Sequence, residues 1–151
     1  MKEIIGDLFN PPIDTDAICI TTNGMIRSDG KAVMGRGVAL AAKNKFLGID
    51  VNLAQAIKQS GNHTNIIYVY ALPSDKFVYI FSLPTKNDWR DKSDINLIIR
   101  SCAELRVIAN KCDFKKIILP RPGCANGGLN WVDVKKAISF LDDRFYIITR
   151  S

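Results

Sequence analysis

Histidine is almost missing from this sequence. His63, in the polar stretch GNHTN, is the only one in 151 residues. That argues against a histidine-based zinc site and against a catalytic triad. Cysteine is sparse and unpatterned. Cys19, Cys102, Cys112 and Cys124 form no C-x-x-C pair and no regular spacing, which fits reduced thiols and a cytoplasmic protein. No apolar run reaches the roughly 18 residues that a membrane span needs. The opening MKEIIGDLF has too short an apolar run for a signal peptide. Repeats and low-complexity segments are absent. No glycine loop ends in G-K-[ST], so there is no P-loop. GRGVAL lacks the third glycine of a dinucleotide fingerprint and does not directly follow its strand. No metal site and no cofactor are expected.

What is present is a core and a positive charge. Hydrophobic residues make up 47% and charged residues 24%, enough to bury a full core in one domain, residues 1–151. A monomer is expected. The 21 Lys and Arg against 15 Asp and Glu give a net charge of +6. That surplus suits anionic partners, phosphates or nucleic acid, and equally suits a plain solvated basic surface.

Apolar β-rich runs alternate with helical patterns. KEII (2–5), AICITT (17–22), IIYVYAL (66–72), FVYIFSL (77–83), KIIL (116–119) and FYIIT (145–149) read as strands. AICITT carries no charge, as a strand buried on both faces would. The short PSDK turn predicts a hairpin between the third and fourth strands. Val38, Ala41, Ala42 and Phe46 recur at helical spacing after Gly37, and a helix over 51–60 ends at Gly61. Ser93 can cap a third helix whose stripe is Ile95, Ile98, Ile99, Cys102, Leu105 and Ala109. Asn130 can cap a fourth, with Val134, Ala137, Ile138 and Leu141 inward and Asp133 in its first turn. Six strands and four helices in alternation predict a three-layer α/β/α sandwich, a mixed six-stranded sheet with helices on both faces. In such folds ligands sit beyond the strand ends, in the loops that lead to helices.

Two of those loops are rich in glycine. In GKAVMGRGVALAA, Gly35, Arg36 and Gly37 open a helix. In GCANGG, Gly123 to Gly128 precede the Asn130 cap. Glycine lets backbone N–H groups approach an anion, and a helix start adds free donors and a favourable dipole. Either loop alone reads as a tight turn. The pair reads as a holder for two phosphates or one diphosphate. A third loop, SLPTKNDWRDKS, sets Lys86, Arg90 and Lys92 around Trp89. Basic residues interleaved with an aromatic suit single-stranded nucleic acid, and they also suit a solvated loop with the ring folded down as packing.

Taken together, GDLF, DAICITTNG, MGRGVALAAKNKF, LPTKNDWR and LPRPGCANGGLNW, in that order, resemble the macrodomain family over nearly the whole chain. PTKxxW and GCxNGGLxW point to the branch with terminal ADP-ribose glycohydrolase and the macrodomain antitoxins that strip ADP-ribose from DNA. Small phage and bacterial macrodomain proteins share the longer GMIRSDGKAVMGRG loop. The resemblance implies ADP-ribose as ligand, free or on a macromolecule. By position Asp7 would take the adenine amino group, with Leu8 next to it in the binding set. Gly35, Arg36, Gly37 and Val38 would form the first diphosphate loop. Pro120 would lead into the second, made of Gly123, Cys124, Ala125, Asn126 and Gly127. Asn23 would lie at the distal ribose, and Lys86, at the PTK position, would attack its anomeric carbon. A lysine does this only as the free amine, which burial or nearby positive charge favours, and Arg90 and Lys92 are the charges at hand.

The chain departs from the pattern at three places. Asn126-Gly127-Gly128 stands where the human-type glycohydrolase has an acidic residue. Asp88 replaces a histidine often found in the antitoxin type, and ITTN replaces NAAN. Cys124 in its glycine loop has the setting of a reactive thiol, yet no histidine is near it in sequence, and it reads as framework. Three activities stay open: an ADP-ribosyl glycohydrolase acting on DNA or protein, a phosphatase of ADP-ribose 1''-phosphate, and a non-catalytic reader.

Overall fold

The computed structural model describes residues 1–150. The chain runs β1 (Lys2–Ile5), β2 (Ala17–Thr22), α1 (Gly37–Lys45), α2 (Ile49–Ser60), β3 (Ile66–Ala71), β4 (Phe77–Pro84), α3 (Ile95–Lys111), β5 (Ile117–Leu119), α4 (Trp131–Ala137) and β6 (Phe145–Thr149). The strands form one sheet in the order β1-β6-β5-β2-β4-β3. Every neighbouring pair is parallel except β3 with β4. That exception follows from the short turn. Leu72 N–H donates to Lys76 O at 2.9 Å, and Asp75 takes the left-handed conformation that such a tight reversal needs. Parallel neighbours need long crossovers, and the helices supply them.

The two faces of β2 show why the sheet sits in the middle layer. Ala17, Ile18, Cys19 and Ile20 are all fully buried. Side chains alternate along a strand, so Ile18 and Ile20 pack with Ala39 and Ala42 of α1 and Leu53 of α2. Ala17 and Cys19 pack on the other face with Ile98, Cys102 and Leu105 of α3 and Val134 of α4. Each such aliphatic side chain contributes about 1.5–3 kcal/mol of burial. The result is the expected α/β/α sandwich.

Four local expectations need correction. Asp94, not Ser93, caps α3, its carboxylate accepting from Asn96 N at 2.9 Å and Leu97 N at 3.4 Å. Ser93 is buried, its N–H donates to Gly127 O at 3.0 Å, and its hydroxyl, facing away from the first turn of α3, caps nothing. Ala39 and Ala42 face inward from α1 while Ala41 is exposed. α2 begins at Ile49, released from α1 by Gly48 at φ 86°. α4 is capped by Asn130 at 2.8 Å from Val132 N, as expected, but stops at Ala137. Ile138 and Leu141 reach the core from the turn beyond it.

Strands β2, β4 and β5 are parallel, so Thr22, Pro84 and Leu119 end on one edge of the sheet. The loops to α1, α3 and α4 leave from that edge. At the opposite edge Asp16 ties the sheet together. Its carboxylate accepts from Lys76 Nζ at 2.8 Å and from the backbone of Lys115 at 2.7 Å and Lys116 at 3.1 Å.

Candidate active site

Beyond Thr22 the chain makes a long excursion and is drawn back by Asn23. The Asn23 side chain accepts from Met25 N at 3.0 Å and donates to Val33 O at 3.1 Å. This returns Gly35 to Gly37 to the start of α1. Beyond Pro84, Thr85 N–H donates to Thr22 O at 3.0 Å, and Asp94 N–H donates back to Thr85 O at 2.9 Å. These two bonds pinch the loop that carries Lys86. Beyond Leu119, the second glycine loop closes on itself, Leu129 N–H donating to Gly123 O at 2.9 Å. The three loops enclose a cleft of about 330 Å³.

Most of the singled-out residues meet there. Asn23, Gly35, Arg36, Gly37, Val38, Lys86, Pro120, Gly123, Ala125, Asn126 and Gly127 all line this cleft, with Trp89 at its side. Gly37, Gly123 and Gly127 are demanded by close approach, while Gly35 has open space beside it. Gly37 has φ 55°, and an added Cβ would lie 3.0 Å from Asn126 Nδ2, so the two loops meet across the cleft. A Cβ on Gly127 would overlap Ser93 Oγ and stand 2.6 Å from Gly123 O.

Asp7, Leu8 and Cys124 do not line it. Asp7 lies past the end of β1, accepting from Phe9 N at 2.9 Å and paired with Arg150 at 3.3 Å. Leu8 is buried in the core beneath α1 and α2. The Cys124 thiol points to Pro122 O at 3.4 Å, and burial raises its pKa against the opposing pull of Arg121, which keeps it a thiol.

Lys86 is half-buried. It also lines an adjoining groove with Arg36, Trp89, Lys92 and Gly128. Arg90 lines that groove too, but its charge is shared with a carboxylate. Asp88 holds the guanidinium through Nε at 3.0 Å and Nη2 at 2.6 Å, a pairing that lowers the Asp88 pKa to about 2. Two cations share the cleft with Lys86: Arg36, and Arg121, which also pairs with Glu3 at 3.6 Å. Two further residues escaped the sequence reading. Thr22 and Ser93 line the cleft, and their buried hydroxyls have no hydrogen-bond partner. Strand parity hints that Thr22 is inward-facing, but nothing local marks it as unpartnered. Among the described residues no three His, Cys, Asp or Glu side chains gather into a set that would hold a metal ion.

No family model matches the chain. A curated relative, the DNA ADP-ribosyl glycohydrolase of Thermus aquaticus, is 30% identical over 139 residues, 91% of this chain and 36% of the relative. The chain therefore spans little more than a third of the curated relatives it matches. The solved macrodomain of Thermus aquaticus DarG superposes with a TM-score of 0.76 at 29% identity, covering 99% of this chain and 97% of that one. The structure of Thermosipho africanus DarTG in complex with ADP-ribose has the same fold, with a TM-score of 0.76 at 22% identity over 97% of this chain and 41% of that one. Fold, loop order and end-to-end superposition agree, and the chain belongs to the macrodomain family. Within that family it is a macrodomain of DarG type.

Proposed function

We propose that this domain binds ADP-ribose and removes it from DNA. The observation that carries the reading is the convergence of Lys86, Asn23 and both glycine loops on one cleft. The loops at Gly35–Val38 and Gly123–Gly127 hold the diphosphate through backbone N–H groups. Asn23 orients the distal ribose. The Lys86 amine forms a bond to the anomeric carbon as the bond from that carbon to the base breaks. The electron pair leaves with the base, which takes up a proton, and water then displaces the lysine. Asp7, paired with Arg150 outside the cleft lining, is assigned to the adenine. The likeness to a relative named DNA ADP-ribosyl glycohydrolase supports the choice of reaction. The adjoining groove with Trp89, 43% exposed, and the cations Arg36 and Lys92 suits the strand flanking the modified base, by phosphate pairing and stacking.

The test is hydrolysis of an ADP-ribosylated DNA oligonucleotide by the wild type and by Lys86→Ala. Turnover is expected to fall at least about a hundredfold in the variant, while its affinity for ADP-ribose stays within about twofold. Full turnover by Lys86→Ala overturns the role of the lysine. Binding without turnover by the wild type leaves a reader, and phosphate release from ADP-ribose 1''-phosphate alone leaves the phosphatase. In the same assay KM should rise with salt; a KM indifferent to salt removes the groove from the proposal.

A further inference from the structure

The lone histidine sits in a segment that the proposed chemistry does not use. Residues 61–65 cross from α2 to β3, and they are fastened at several points. His63 Nδ1 meets Glu104 Oε2 on α3 at 2.7 Å, and Thr64 N–H donates to the other Glu104 oxygen at 3.2 Å. Thr64 Oγ1 donates to Ser101 O at 2.9 Å, buried. The Arg100 guanidinium donates to Asn62 O. On the sheet side Ser82 Oγ donates to His63 O at 3.0 Å and accepts from Asn65 N at 3.0 Å. A connection this heavily bonded is a rigid mount, and what it presents outward is the Asn62 amide.

That amide is aimed at the loop of Lys86. Asn62 Nδ2 donates to Lys86 O at 2.9 Å and to Asn87 Oδ1 at 3.0 Å. From the strand side Gly24 N–H donates to Asn87 O at 3.0 Å. Gly24 also lies flat against Asn62, for an added Cβ there would come within 3.0 Å of Asn62 Cγ and Nδ2. The backbone at Lys86 is therefore held from α3 through Asn62, with Gly24 supplying the space. The short bonds at Thr85 fix only the base of the loop; Asn62 fixes the residue itself.

We propose that Asn62 is a positioning residue, setting the Lys86 backbone so that the amine meets the distal ribose. This rests on Lys86 being the nucleophile. Misplacing a reacting group by about 1 Å can cost on the order of a hundredfold in rate, so a carbonyl released from its anchor acts on turnover before it acts on binding. The hydrogen bonds of Asn62 run to Lys86, Asn87 and Arg100 and to neither glycine loop.

The test uses the full 151-residue chain with an ADP-ribosylated DNA oligonucleotide. Asn62→Ala is expected to lower kcat about tenfold or more, with KM and the ADP-ribose Kd within about twofold. Gly24→Ala, which crowds Asn62 from the other side, should give the same split, and intact ADP-ribose affinity certifies that both variants fold. A kcat within twofold of wild type for Asn62→Ala, beside an inactive Lys86→Ala, overturns the positioning role and spares the lysine. A kcat loss matched by an equal loss of ADP-ribose affinity also overturns it. An inactive wild type, or an active Lys86→Ala, overturns the lysine reading and this proposal with it.

Discussion

At Thr22 the side-chain hydroxyl is buried without a hydrogen-bond partner, on a face of β2 whose other residues, Ile18 and Ile20, are aliphatic. A buried hydroxyl left unpaired costs roughly 1–3 kcal/mol, and a valine methyl occupies nearly the same space. Thr22→Val is therefore expected to raise the melting temperature of the free protein by about 2–6 °C. It should also weaken ADP-ribose binding about fivefold, the worth of one hydrogen bond. Thermal melts with and without ligand check both signs, and a variant that is both more stable and equally tight removes the hydroxyl from the site. Asn23 was legible because it follows an uncharged strand at the end where ligands gather. Asn62 was not, because its partner Lys86 is 24 residues away and no local pattern links them. Arg90 was legible in part: it lies in the groove beside Lys86, but paired. Its sequence neighbour Asp88 was seen as the replacement for a histidine and not as the carboxylate that takes up the guanidinium.

Among the elements, the second glycine loop has least room to vary. Gly127→Ala sets a methyl group against Ser93 and within 2.6 Å of Gly123 O, so the loop has to shift. We expect a stability loss of about 1–3 kcal/mol and at least a tenfold weaker grip on ADP-ribose, measured by denaturation and by calorimetric titration. Unchanged affinity would mean that this loop does not hold the diphosphate. The elements themselves were largely readable. β2 lacks charge because both its faces are covered, and one face of α3 packs on the sheet as expected through Ile98, Cys102, Leu105 and Ala109, but Leu97 and Ser101 are buried there and Ile99 is not. The ends were less so. Ser93 and Asp94 are adjacent residues that both cap well, and nothing local says that the Asp94 carboxylate, not the Ser93 hydroxyl, turns to the free N–H groups of α3. α4 was expected to run on because Ile138 and Leu141 keep helical spacing, which a tight turn also satisfies.

For the whole molecule, acid is the informative variable. Burial raises the Asp16 pKa, but the bonds from Lys76 and the Lys115 and Lys116 backbone outweigh it and the net shift is downward. The Asp142 carboxyl is pulled to about 2, chiefly by Arg144. Both folded-state values lie below the unfolded value of about 3.9. Their stabilisation is complete above that pH and is lost as pH falls through the folded values. Melting temperature should thus hold steady from pH 7 to about 5 as far as these groups matter, then drop between about pH 4 and 2. Asp16→Asn, measured across the same range, should melt lower at neutral pH and show a shallower drop. The strand order has a temporal side as well. Lys2 pairs with Tyr146 and Ile5 with Thr149, so β1 leaves the ribosome first and finds its partner last. At roughly 5–20 residues per second the wait is on the order of ten seconds. Until β6 arrives, the apolar edge of β5 stands open to neighbouring nascent chains, and the pairing of Asp7 with Arg150 is among the last contacts to be made.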